Sequence, residues 1–151
     1  MPSLHTSITL PNEAALAAIA TDLAQKIKPG AIVFLQGQLG VGKTTFVRYF
    51  LHALGYKGTV KSPTYTVVET YDIQDQIIHH FDWYRLTDAT ALEDMGIRDY
   101  LDGEAICFIE WPNQVPGVIT KPDWVLAVDL VPENPNARIL RLCSPSPNND
   151  H

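Results

Sequence analysis

The chain has 151 residues, 46% hydrophobic and 19% charged, with 11 Lys+Arg against 17 Asp+Glu for a formal net charge of −6. That size and composition suit one domain with a real core and exclude a disordered chain. The acidic balance, with a pI near 5.2, argues against a protein that wraps nucleic acid alone, and no run approaches the roughly 20 apolar residues of a membrane-spanning helix.

Residues 1–10 lack the basic start and long apolar stretch of a secretory signal. The two cysteines, Cys107 and Cys143, make no disulfide framework, so a cytoplasmic location is expected. Asn12 precedes a run in which Leu16, Ile19, Leu23 and Ile27 recur at helical spacing, which predicts a helix capped by Asn12 and stopped by Pro29-Gly30. Ala31 to Gln36 is a continuous apolar run of strand length, as expected of a strand buried on both faces. Lys43 to Leu54 reads as a second helix stopped by Gly55. Tyr65 to Asp72 and Ile77 to Asp82 read as an antiparallel hairpin joined by Ile73-Gln-Asp-Gln76. A short helix from Thr87 through Met95, a buried strand over Ala105 to Ile109, and strands over Trp124 to Leu130 and Ile139 to Cys143 complete the reading. The implied fold is a single α/β domain over 1–143, with a mostly parallel central sheet, an antiparallel extension and flanking helices. Residues 144–151 are expected to form a disordered tail.

Between the first strand and the second helix lies Gly37-Gln-Leu-Gly-Val-Gly-Lys-Thr44, a complete G-x-x-x-x-G-K-[ST] pattern in the context that its physics requires. Gly37, Gly40 and Gly42 let the backbone turn tightly, so that the amides of Gln38, Leu39 and Val41 to Lys43 can face phosphate oxygens. The helix beginning at Lys43 adds its positive end. Lys43 supplies charge for the β- and γ-phosphates, Thr44 a hydroxyl for Mg²⁺, and Thr45 a contact to the α-phosphate. These residues predict a nucleoside triphosphate site and make the expected α/β domain a P-loop NTPase-like one. A second metal anchor is expected at the end of a neighbouring strand, and Ile106-Cys-Phe-Ile-Glu110 offers Glu110 there. Asp82 ends the hairpin and is expected to hold metal-bound water or activate the attacking water. Arg85 is a candidate partner for a phosphate or an acid. His79 and His80 read as decoration of an exposed strand face, Cys107 as core, and Trp83 and Tyr84 equally as packing or function.

The P-loop, Ser62-Pro-Thr-Tyr-Thr66, His80-x-Asp82-x-Tyr84-Arg85, Met95-Gly-Ile-Arg-Asp-Tyr100 and Glu110-Trp-Pro112 occur in that order. The set closely resembles the TsaE (YjeE) family of small bacterial P-loop ATPases, from about Leu10 to about Val128. The resemblance implies an ATPase that works with TsaB and TsaD in installing the threonylcarbamoyl group on tRNA adenosine, being required for repeated cycles of the transfer that TsaD performs. It implies that Gly37 to Thr45 bind ATP, that Thr44 and Glu110 hold Mg²⁺, and that Asp82 is a third functional acid near the metal or the water. It implies further that Ser62-Pro63-Thr64 senses the γ-phosphate and that Trp111 and the stretch from Pro11 to Glu13 lie beside the nucleotide. The C-terminal part departs most from the family pattern, since Pro132 to Asn136 is proline-rich and Ser144 to His151 carries no family motif; Arg138 is a candidate there for a late base contact.

Two rivals use the same cradle. A small-molecule kinase would normally carry an arginine-bearing lid, whereas Glu110 is followed by Asn113-Gln-Val-Pro-Gly117 and then by strand-like sequence. A GTPase-like switch would carry the guanine-reading N-K-x-D pattern, which is absent. The expected activity is ATP hydrolysis that is slow in the isolated chain, because no arginine finger is placed in cis.

Overall fold

The computed structural model of the chain describes residues 2–119 and 121–145, with side-chain detail over 6–119 and 121–144. Seven strands form one sheet in the order β1-β7-β6-β2-β5-β4-β3. They are β1 (Pro2–Leu10), β2 (Ile32–Gln36), β3 (Val68–Ile73), β4 (Gln76–Asp82), β5 (Ile106–Glu110), β6 (Trp124–Val131) and β7 (Asn134–Pro145). The four inner strands, β6, β2, β5 and β4, are mutually parallel. An antiparallel strand, β3, borders them on one side, and β7 followed by β1 borders them on the other. The sheet therefore has two antiparallel extensions where the sequence suggested one.

Local signals account for most elements. Helix α1 (Glu13–Lys26) starts where Asn12 Oδ1 accepts the Ala15 N–H at 3.0 Å, and it buries Leu16, Ala20 and Leu23. Helix α2 (Lys43–Ala53) ends before Gly55, whose φ is +102°. The β3–β4 hairpin turns through Gln74 and Asp75, both at positive φ, as a two-residue type I′ connection requires. Its first strand begins at Val68 and not at Tyr65, because the chain after Pro63 closes a turn in which the Val67 N–H donates to Pro63 O at 2.8 Å. Helix α3 (Thr90–Asp94) likewise starts later than Thr87, where Asp88 Oδ1 accepts the Thr90 N–H. The one-turn α4 (Ile97–Tyr100), absent from the sequence reading, follows Gly96. Strand β1 is likewise absent from the sequence reading; its alternation is short and it exists by pairing with β7, Ile8 opposite Leu140. Ser144 and Pro145, expected to begin a tail, instead belong to β7, with Ser144 opposite Leu4; the rest of that expected tail, 146–151, lies outside the described residues.

Two cores sandwich the sheet. Helices α1 and α2 cover one face with Leu16, Leu23, Phe46 and Phe50, against Ile78, Ile106 and Phe108. The other face packs Phe34, Phe81, Cys107 and Ile109 under Leu92 of α3 and Ile97 of α4. Strand β5 thus alternates between two dry layers, which is why it reads as continuously apolar. Cys107 is core as expected, and burial pushes its thiol up to about 12. Phe108 meets Phe50 edge-on at a centroid distance of 4.8 Å and is fully buried. Phe108→Ala is expected to cost about 3–5 kcal/mol, measurable as a lowered denaturant midpoint with an unchanged slope. Among the described residues, no helix is long and apolar enough to cross a membrane.

Candidate functional site

The carboxyl ends of β2, β4 and β5 emerge on one edge, the place where open α/β sheets gather ligands. The loop 37–42 leaves β2 and passes directly into α2. Gly37 sits at φ +144°, and a Cβ there would stand 2.6 Å from Val128 O and 2.8 Å from Val41 Cγ1, so only glycine fits. The N-cap of α2 is Gly42, with no side-chain cap, so the first amides of the helix are left for another acceptor.

Lys43 lies inside this turn, 4% exposed. Its Nζ donates to Gly37 O at 2.6 Å, stands 3.8 Å from Glu110 Oε1 and sits 4.0 Å from the centre of the Trp111 ring. Burial lowers the lysine's pKa from its ordinary value, against the opposing pull of Glu110 and Asp82. Trp111 reaches Lys43 because its left-handed backbone (φ +58°) bends the chain back immediately after β5.

Glu110 and Asp82 are register partners at the ends of adjacent parallel strands, both buried. Glu110 Oε2 accepts from the Thr44 hydroxyl at 3.1 Å and from His80 Nε2–H at 2.6 Å. Burial pushes the Glu110 carboxyl up, but His80, Lys43 and Thr44 together outweigh it and hold the group below its ordinary value. Asp82 has the opposite balance. Burial raises its pKa, the Tyr84 N–H on Oδ1 (2.9 Å) opposes that, and the charge of Glu110 adds to the rise. The two neighbouring carboxyls are therefore driven apart, one held ionised and one inclined to take up a proton.

A carboxyl whose folded-state pKa is raised costs stability above that pKa, and the cost vanishes at a pH low enough to protonate it in both states. Asp82→Asn is accordingly expected to raise the melting temperature near neutral pH. The advantage should fade as the pH falls through the carboxylate range, which melting curves at several pH values would follow.

Two cavities share the glycine-rich loop. The smaller, about 260 Å³, is lined by Leu39, Gly40, Gly42, Lys43, Thr44 and Thr45 on one side and by Ser62, Thr64, Asp82 and Glu110 on the other. The larger, about 550 Å³, lies across Gly40, Val41, Gly42 and Thr45 and is walled by Pro11 to Glu13 and Leu16, with Asn134 to Asn136 and Arg138 opposite. Glu13 is held there by the Tyr49 hydroxyl, with Arg48 Nη2 at 3.8 Å. Arg138 donates through Nε to Val41 O at 2.9 Å, tying β7 to the loop.

Most residues singled out in the sequence thus meet around this loop. Gly37, Gln38 and Trp111 line neither of the two cavities: Gly37 O accepts from Lys43 Nζ, Gln38 O accepts the Val41 N–H, and Trp111 lies against Lys43. Arg85 does not turn to the acids. Its guanidinium lies 4.7 Å from the centre of the exposed Tyr65 ring. Trp83 is fully buried packing, whereas Tyr84 is partly exposed and stacks near Trp111 at 4.8 Å. The reading of His79 and His80 as surface decoration is wrong, since they are 8% and 0% exposed. β4 is an inner strand covered on both faces, and reading it as one would have predicted their burial. Asn134, Pro135 and Asn136 carried no local signal, since only the β6–β7 hairpin brings them to the loop.

Comparisons with known proteins converge. Residues 10–139 match the family model described as Threonylcarbamoyl adenosine biosynthesis protein TsaE. A Haemophilus influenzae protein named tRNA threonylcarbamoyladenosine biosynthesis protein TsaE is 45% identical over 109 residues, which are 72% of this chain and 69% of that protein. A Rickettsia felis protein of the same name is 35% identical over 138 residues, 91% of this chain and 77% of its own length. The Bacillus subtilis protein of that name is 39% identical over 98 residues, 65% of this chain and 61% of its own length, so that match spans less than two thirds of it. Among solved structures, a crystal structure of Bacillus subtilis YdiB superposes with a TM-score of 0.79 at 24% identity, covering 98% of this chain and 90% of the other, a likeness of fold.

Proposed function

The chain belongs to the TsaE family, and from that premise we propose that it is a P-loop ATPase that binds Mg²⁺·ATP across the two cavities and hydrolyses it in support of tRNA threonylcarbamoyladenosine biosynthesis. The observation that carries this reading is the meeting of Lys43, Thr44, Asp82 and Glu110 on one small cleft at the uncapped start of α2. A lysine, a hydroxyl, two carboxyls and free helix amides are what a triphosphate and its cation need from a protein.

In this reading the phosphates lie along the loop amides and the smaller cavity, and the base enters the larger one between Glu13 and Asn134 to Arg138. Lys43 exchanges its bond to Gly37 O for phosphate oxygens. Thr44 and Glu110 hold Mg²⁺, joined by Asp82 directly or through water. One hydroxyl and two carboxylates, with the remaining positions left to water and phosphate, suit an octahedral Mg²⁺. When bound, the cation neutralises charge that builds up on the transferred phosphoryl group. Asp82 Oδ1 is committed to the Tyr84 N–H, so Oδ2 is the atom that orients the attacking water or accepts its proton. Thr64, beside Ser62 Oγ at 2.7 Å, faces the position of the γ-phosphate.

No arginine lines the smaller cavity among the described residues. Hydrolysis by the isolated chain is therefore expected to be slow, with TsaB-like and TsaD-like partners completing the site and tRNA reached only through that complex, in the cytoplasm. Reconstitution tests the proposal. Phosphate release and repeated rounds of tRNA modification should require this chain, ATP and Mg²⁺ together with TsaB and TsaD proteins. Rapid ATP hydrolysis without partners would overturn the dependence on them, and a phosphorylated small molecule formed in place of free phosphate would overturn the ATPase reading.

A further inference from the structure

We infer that His80 is a positioning residue, whose Nε2–H clamps the Glu110 carboxylate in the orientation that presents it to Thr44 and the cation. The inference rests on Glu110 being the Mg²⁺ anchor and goes beyond it by assigning the group that holds the anchor still.

The imidazole is 0% exposed, and its ring makes a hydrogen bond of 2.6 Å to Glu110 Oε2. Its other nitrogen, Nδ1, is buried with no partner. A position that needed only volume would be better filled by an apolar side chain, because an orphaned buried nitrogen costs free energy. The cost is offset only if the one bond that is made matters. Register supplies the geometry. His80 lies opposite Phe108 and Asp82 opposite Glu110 on parallel strands, so His80 shares a face with both acids and stands one residue pair deeper in the sheet. It therefore backs Glu110 from the side away from the cleft.

Glu110 needs such support. Its side chain has three rotatable bonds, and Lys43 Nζ stands only 3.8 Å from Oε1. Without a donor behind it, the carboxylate is free to swing towards Lys43, which removes a metal ligand from the cleft while the ammonium stays beside the loop. With His80 and Thr44 both on Oε2, the carboxylate plane is fixed by two hydrogen bonds.

The test titrates MgCl₂ into the protein–ADP complex by calorimetry, so that no turnover is read. His80→Phe, which keeps a planar ring and loses the donor, is expected to weaken Mg²⁺ binding about 10- to 100-fold while leaving metal-free ADP affinity essentially unchanged. His80→Gln restores an N–H and is expected to recover most of the loss. An unchanged Mg²⁺ affinity in His80→Phe, or a Gln variant no better than Phe, overturns the proposal. The unmodified chain gives an answer that does not depend on a variant folding. In ¹⁵N NMR of the His80 ring, Nε2 should carry a proton, and a bare Nε2 overturns the clamp. Glu110→Gln separates the two levels. If that variant binds Mg²⁺ normally, the metal assignment itself fails; if it loses Mg²⁺ while His80→Phe does not, only the clamp fails.

Discussion

Glu110→Gln is expected to lower Mg²⁺-dependent ATP hydrolysis by about 10²- to 10⁴-fold, the equivalent of several kcal/mol of charge stabilisation. Affinity for nucleotide in the absence of metal should stay close to that of the unmodified chain. The expectation follows from where the charge sits. Glu110 is nearly buried, is held ionised by His80, Lys43 and Thr44, and stands at the end of an inner strand beside Asp82. Gln retains an oxygen able to accept from His80 and Thr44, so the fold and the hydrogen bonds behind the site survive while the negative charge is lost. Phosphate release measured with and without MgCl₂, beside ADP binding in EDTA, checks both halves. Normal Mg²⁺-dependent hydrolysis by this variant would remove Glu110 from the metal site.

Lys43→Ala is expected to weaken ATP binding by about 10²-fold, since it deletes charge-assisted hydrogen bonds of about 1.5–3 kcal/mol each. AMP affinity should change little, because Lys43 lines the smaller cavity, whereas the proposed binding mode puts the base and ribose in the larger one. Lys43→Arg is not expected to rescue binding. The ammonium is a compact point charge placed between Gly37 O at 2.6 Å and the Trp111 ring at 4.0 Å, and a forked guanidinium on a different stem does not put its charge at the same point. Calorimetric titration of ATP and AMP against the three proteins measures the contrast. Equal losses for both nucleotides would show that the lysine acts on the shape of the loop and not on the terminal phosphates.

The legible parts of the molecule were those written over a short stretch of chain. Asn12 was readable as a cap because its partner is the amide three residues on. The glycine-rich loop was readable because strand, turn and helix follow one another without a break. Glu110 was readable because four apolar residues run straight into it. The errors lie where burial depends on a neighbour distant in sequence. His80 looked like surface until β5 and α2 enclosed β4, and of the two partners expected for Arg85, a phosphate or an acid, the acid is not met because the turn after Asp82 carries the guanidinium to Tyr65.

By itself, then, the sequence determined the α/β alternation, the glycine-rich loop between strand and helix and the acids at the strand ends beside it, because periodicity, capping and turn chemistry act over about one element's length. Only the tertiary structure decided that Asn134 to Arg138 close the larger cavity, that β1 becomes a strand by pairing with β7, and that a fully buried histidine stands behind Glu110. Those outcomes depend on strand order. Strand order is set by which faces must be buried together across the whole sheet, and that requirement leaves no mark within any single segment.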